Sequence, residues 1–461
     1  MNRSVLALLV SLVLAGCKPP TFSYTKVPTT ISEGNPFLVE VQLTNASGSP
    51  RNQVVTDVKL TSEDISFVVP PEVRDSDAEG KVVFSGLHFP IDSDGTTTLT
   101  VSAPGSSSAV SRVLTVSPSL TSPFLRGLSL PVGKNPVSVA VGDLNGDGNP
   151  DLISANDSAS NISVLLGDGM GGFAPAKNFA VESGLSCVAV ADLNGDGKLD
   201  LVSANTGSDT LSLLLGDGTG DFAAPMYFRV GEMPQSVVVA DLNGDGHSDL
   251  VSASLFGNLS VLLGKGVGNF TPAKNFRAGD SSDSLAVGDL NGDGNLDLVS
   301  ASPLSNDLSV LLGDGTGELA AATSFPAGYE PFFVAVADLN GDGNLDLVSA
   351  NDSSNALSVL LGDGTGSFAA ATSLPVGESP KSVVVADLNG DGEPDLVSAN
   401  ASGSLSVLLG DGMGDFAAAT SFTAGSLPNS VAVADFNGDG KLDLVSADSF
   451  SDTLSVLLGT P

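Results

Sequence analysis

One set of oxygen-bearing side chains recurs seven times between residues 143 and 443, in the order Asp-x-Asn-x-Asp-Gly-x-x-Asp. The copies are Asp143, Asn145, Asp147 and Asp151; Asp192, Asn194, Asp196 and Asp200; Asp241, Asn243, Asp245 and Asp249; Asp289, Asn291, Asp293 and Asp297; Asp338, Asn340, Asp342 and Asp346; Asp387, Asn389, Asp391 and Asp395; and Asp435, Asn437, Asp439 and Asp443. Hard oxygen donors at this spacing suit a hard cation. Calcium takes six to eight oxygens at about 2.3–2.6 Å, and the pattern offers side chains at positions 1, 3, 5 and 9 with a backbone carbonyl usual at position 7. Glycine at position 6 permits the sharp turn around an ion. Magnesium is the alternative, but it demands a small octahedral cage and keeps its waters. A tight turn alone would explain the glycines. It would not explain three carboxylates per loop, because like charges about 4 Å apart repel by ~1 kcal/mol in water and by ~4 kcal/mol near a protein surface. The pattern therefore predicts about seven Ca2+ sites. With a dissociation constant of ~0.1 mM in ~1 mM calcium, each site would stabilise the fold by ~1.4 kcal/mol.

The flanks of the loop say what holds it. A helix–loop–helix calcium site carries Glu at position 12, where the first copy has Ser154, and has helices on both sides. Here the flanks read as strands. In the fifth copy, 333–337 (Phe-Val-Ala-Val-Ala) enters the loop and 345–350 (Leu-Asp-Leu-Val-Ser-Ala) leaves it. A third run, 357–361, leads into Gly362-Asp363-Gly364-Thr365-Gly366, and 368–374 follows as a fourth. Four short strands joined by turns make one propeller blade. Seven copies spaced 48 or 49 residues apart make a ring. The seventh copy stops after its third strand, and 124–132 precedes the first copy as an unaccompanied fourth strand. The expected closure is that this N-terminal strand completes the last blade and hides its edge.

The turn Gly167-Asp168-Gly169-Met170-Gly171, followed by Gly172, spells a dinucleotide-binding fingerprint. That reading needs a helix next, and a strand follows instead, so an Asp-Gly hairpin turn is the better assignment.

These repeats resemble the FG-GAP/VCBS family of bacterial surface proteins, related to the propeller of integrin α subunits, over about residues 124–461. The resemblance supports calcium in the loops and an all-β fold. The expected architecture is a seven-bladed β-propeller of four-stranded blades, residues 118–461, preceded by an Ig-like β-sandwich, residues 23–117. The stretch 77–84 (Asp-Ala-Glu-Gly-Lys-Val-Val-Phe) is similar to bacterial Ig-like repeats of adhesins.

The ends and the composition set the compartment. Residues 1–16 carry Arg3, a short apolar run and Leu14-Ala15-Gly16 before Cys17, which resembles a bacterial lipoprotein signal. Lipidation of Cys17, a tether over 17–22 and export to the bacterial outer membrane or cell surface are expected. The only other cysteine is Cys187, so an acylated Cys17 would leave no disulfide, and calcium would serve as the staple. The formal charge of −35 and the lack of a basic cluster argue against nucleic acid. Contact with a membrane is expected only through the lipid, and the chain is expected to be a monomer.

An enzyme is not expected. The chain has only His88 and His247, the second inside a calcium loop, and its acidic residues are largely claimed by the loops. Antiparallel alternation puts the calcium loops and the Gly-Asp-Gly turns on one face of the ring. The connections on the other face differ most between copies, and Met233, Phe256, Tyr329 and Phe332 there are the candidate partner-binding residues. The expected role is a calcium-stabilised cell-surface binding or adhesion protein taking an extracellular protein. The alternatives are a calcium-dependent lectin or polysaccharide-binding protein, which the absence of Trp weakens, and a non-catalytic module of a surface enzyme assembly.

Overall fold

The run that closes each loop, Asp-Leu-(Ile or Val)-Ser-Ala, is apolar on both faces and rich in β-formers. It becomes the second strand of each blade: Asp151–Asn156, Asp200–Asn205, Asp249–Ser254, Asp297–Ser302, Asp346–Asn351, Asp395–Asn400 and Asp443–Asp448, buried at every residue. Around it each blade forms a four-stranded antiparallel sheet, in chain order in blades 1 to 6, illustrated by Pro331–Ala337, Asp346–Asn351, Ala356–Leu360 and Thr372–Pro375 of blade 5. First strands lie innermost. Each touches the first strand of the next blade, and the cycle closes between Pro428–Ala434 and Pro136–Gly142. Fourth strands are outermost and mostly exposed.

This computed structural model describes residues 124–459, and before them only short strands: Leu6–Ala7, Phe22–Lys26, Phe37–Leu43, Val58–Ser62, Val73–Arg74, Lys81–Leu87, Leu99–Ser102 and Thr115–Val116. The middle six pair as two three-stranded sheets. The rest of 1–123, and with it the signal, Cys17, the tether and the sandwich expected over 23–117, lies outside the described residues.

Closure of the ring follows the expected register. Phe124–Pro131 is the fourth strand of blade 7, beside Thr453–Gly459. The apolar core is divided among the gaps between neighbouring sheets. At the seam, Val139, Leu152 and Leu165 of blade 1 pack on Phe436, Val445, Leu454 and Val456 of blade 7, with Leu130 and Val132 against them.

Two local expectations are corrected. The fourth strand of blade 5 begins at Thr372, not Phe368. Phe368 makes one bridge to Gly362, and its ring turns inward to meet Phe325 edge-on at 5.1 Å. Burying that ring lets the chain leave strand geometry until Thr372. The Gly-Asp-Gly turn is accordingly wider than a two-residue hairpin. Asp363 N donates to Ser367 O, and Gly364 and Gly366 both take positive φ, 71° and 78°.

Candidate functional site

The seven loops share the core of one hydrogen-bonding scheme, the bonds from the N–H groups at positions 5, 6 and 7, and the first loop shows it in full. In the first, Asp143 Oδ1 accepts from Gly146 N and Asp147 N at 2.7 and 3.1 Å, and Oδ2 accepts from Gly148 N at 2.8 Å. Asn145 Oδ1 accepts from Asp147 N, Asn145 Nδ2 donates to Asp147 Oδ2, and Asp147 Oδ1 accepts from Asn149 N. Gly146 and Gly148, with φ of 72° and 87°, make this winding possible. The backbone hydrogen bond from Asn149 and the side-chain one from Asn145 hold the Asp147 carboxyl below its ordinary value.

Position 9 has a different setting. Asp151 is fully buried. Its Oδ2 accepts from Leu144 N and its Oδ1 from Gly167 N, both at 2.8 Å. The carboxylate thus ties the calcium loop to the Gly-Asp-Gly turn. The same clamp recurs in every blade, down to Asp443 with Phe436 N at 2.8 Å and Gly459 N at 2.6 Å. Burial pushes these carboxyls up, to about 6 for Asp443, against the pull of the two N–H donors and with a further push from the neighbouring loop aspartates.

Asp143, Asn145 and Asp147 therefore share one exposed loop with Asp151 beneath it, and the other six sets repeat this. Among the described residues no three His, Cys, Asp or Glu side chains are gathered closely enough to hold a metal ion as they stand. The reason is visible in the bonds above: the carboxylates are turned onto the loop's own N–H groups. The donor set nevertheless fits calcium chemically. It is all oxygen, it carries charge, and an oxygen accepting one N–H keeps a second lone pair. His247 stands at position 7 of the third loop, exposed, its N donating to Asp245 Oδ1.

On the opposite face a funnel of about 500 Å³ opens where the first strands begin. All seven blades contribute one residue there, the second of the first strand in six of them and the residue just before it in blade 4: Val137, Ser186, Gln235, Asp283, Phe332, Lys381 and Asn429. Lys381 Nζ lies 2.7 Å from Asp352 Oδ2 and 4.6 Å from the Phe332 ring centroid. Asp283 Oδ1 is buried without a hydrogen-bond partner. Burial raises the Asp283 carboxyl to about 6, with Lys381 pulling it back. Cys187 is half-buried in the wall, its thiol pushed up by burial, with Val237 O 3.9 Å from Sγ.

The candidate partner residues all lie on this face. Phe332 lines the funnel; Tyr329 is 70% exposed beside Leu304, and exposed Met233 accepts at its carbonyl from the N–H of Leu255, next in sequence to exposed Phe256. Sequence reasoning passed over the exposed Leu304 and Phe450, and over Asp283, Lys381, Gln235 and Asn429. A signal for the ring existed. Six residues before each loop's first Asp, the seven copies carry seven different residue types.

The FG-GAP-like repeat pattern matches residues 143–203, 192–252, 241–300, 289–349, 338–398 and 387–446. Each match spans two consecutive loops, so the six take in all seven. No curated protein matches the chain. Among solved structures the chain is similar to BBS1N in complex with ARL6DN, in crystals soaked with mercury, at a TM-score of 0.55 and 14% identity over 74% of this chain and 98% of that one. The lead-soaked crystal gives 0.55 and 15% over the same shares. A functionally unknown protein from Desulfotomaculum acetoxidans DSM 771 gives 0.52 and 15% over 66% of this chain and 90% of that one. At such identity the likeness is one of fold. The repeat matches cover well over half of the sequence, and the chain belongs to the FG-GAP-like repeat family.

Proposed function

We propose that this chain is a calcium-stabilised, non-catalytic binding protein of the cell surface, taking an extracellular partner on the face opposite its Asp loops. The observation that carries the reading is the contrast between the two faces. One repeats the same clamped loop seven times; the other gathers seven different side chains around a funnel, with Tyr329, Phe256 and Leu304 exposed on its rim. A rigid ring with variable connections is how a scaffold presents a binding surface. Asp143, Asn145, Asp147 and Asp151, with the carbonyl of Asn149, would hold calcium in the first loop, and their counterparts would do so in the others. The ion would neutralise carboxylates that otherwise repel. The lipoprotein signal over residues 1–16, lipidation of Cys17 and an Ig-like stalk would place the ring outside the cell. Its similarity to BBS1N, solved in complex with ARL6DN, supports a protein partner by analogy of fold.

The test probes a glycan array and a panel of extracellular proteins with the chain, in calcium and in chelator. Tyr329→Ala and Phe256→Ala should abolish any binding found, while Met170→Ala and Met413→Ala, exposed on the loop face, should leave it intact. Loss with the Met variants alone would overturn the reading. Binding only to glycans would turn it toward the lectin alternative.

A further inference from the structure

The funnel is where the repeats stop repeating. Two residues further along each first strand the side chain is Val in every blade but blade 4, which has Leu285, whereas the funnel ring holds Val, Ser, Gln, Asp, Phe, Lys and Asn. A seven-fold scaffold therefore surrounds a pocket with no symmetry, as discrimination of one particular ligand requires.

Three charged groups line it: Asp157, Asp283 and Lys381. Asp157 accepts a hydrogen bond from Asn135 Nδ2 at 3.0 Å. Lys381 is held by Asp352 and lies over Phe332. Asp283 has no such partner for Oδ1, although that atom is buried. A buried acceptor left without a hydrogen bond carries an uncompensated desolvation cost, so a donor arriving from a ligand would recover it. Phe332 of the adjacent blade, with Val137 and Leu427 elsewhere around the funnel, supplies apolar wall. The net charge of −35 draws cations toward the molecule as a whole.

We propose that the funnel binds a protonated nitrogen, ammonium or guanidinium, carried on an apolar stem, with the Asp283 carboxylate as its counter-charge and Phe332 beside the stem. The pocket admits a small amine or a single basic side chain of a protein. This rests on the reading that the funnel face is the binding face.

The experiment is calorimetric titration of the calcium-loaded full chain with cadaverine, with a blocked Gly-Lys-Gly peptide, and with neutral 1,5-pentanediol. The expected result is binding of an amine probe, none of the diol, and at least about tenfold weaker binding by Asp283→Asn and Asp283→Ser. Serine already occupies the equivalent place in blade 2 as Ser186, so one of the two variants should fold even if the other does not. Tighter binding of cadaverine marks a free amine as the ligand, and tighter binding of the peptide marks a basic side chain. Equal binding by the folded variants, equal binding of the diol, or no binding of either amine by folded wild type overturns the proposal. Partner capture that survives Asp283→Asn while no amine binds leaves the binding face standing and removes only this inference.

Discussion

Asp452 Oδ1 accepts a hydrogen bond from the backbone N–H of Asn135 at 2.9 Å, linking the last blade to the connection that enters the first. The relation repeats inside the ring. Asp209 accepts from Met233 N, Asn306 from Glu330 N and Asn355 from Ser379 N, at 2.8–2.9 Å. All eight residues have left-handed φ, from 51° to 59°. Asp and Asn tolerate that region; Met233 at 52° does not readily do so. Four such latches on the face with the funnel thus hold Met233, Glu330 and Ser379 in a conformation their own preferences oppose. Asp452→Ala should cost about 1 kcal/mol, read as a lower denaturant midpoint with an unchanged slope. An unchanged midpoint would show that the seam does not depend on it.

The seam has a second component. Deleting residues 118–134 removes Leu130 and Val132 from the blade 7–blade 1 core and exposes the edge of Thr453–Gly459. Thermal melting should fall steeply and the protein should self-associate. A melt equal to that of the intact chain would contradict this closure.

The buried clamps make a sharper claim. Asp200→Ala leaves the N–H groups of Leu193 and Gly216 without their acceptor inside the protein, at a cost of about 2–4 kcal/mol for the pair. Asp217→Ala, in the exposed turn next door, loses only bonds that water can replace and should cost under about 0.5 kcal/mol. Chemical denaturation of both variants in chelator separates the clamp from any role in calcium binding.

Asp283 predicts a pH dependence with a definite sign. Its folded-state carboxyl lies near 6, above the ordinary 3.8, because burial disfavours the charge, and Lys381 only partly offsets this. The folded state therefore holds the proton more tightly than the unfolded one, and this group destabilises the fold progressively as pH rises from about 4 to 6. Asp283→Asn should raise stability at pH 7.5 by on the order of 1–2 kcal/mol, allowing for its partial exposure. The gain should shrink toward zero at pH 4. Melting curves of the two proteins at the two pH values decide it; a gain independent of pH would mean that charge is not the cause.

Much of the ring was legible because its determinants are local. Asn-Gly-Asp-Gly needs two left-handed glycines, and Asp-Leu-Val-Ser-Ala can only be a doubly buried strand, so each repeat announces its own blade. The position of 124–132 followed from counting strands. The start of the fourth strand was not legible, since Phe368 leaves strand pairing to meet Phe325 from the preceding blade. Nor was the clamp of Asp151, whose partner Gly167 lies 16 residues away. The funnel ring needed the fold itself, because nothing within one repeat says that these seven residues meet.

The decisive measurement on the Asp loops is the number of calcium ions bound per chain at ~1 mM free calcium, by equilibrium dialysis with elemental analysis. The expected count is about seven, released by chelator with a large fall in melting temperature. A count near zero in folded protein, with the same melt in calcium and in chelator, would contradict it and leave the loops as hydrogen-bonded turns alone.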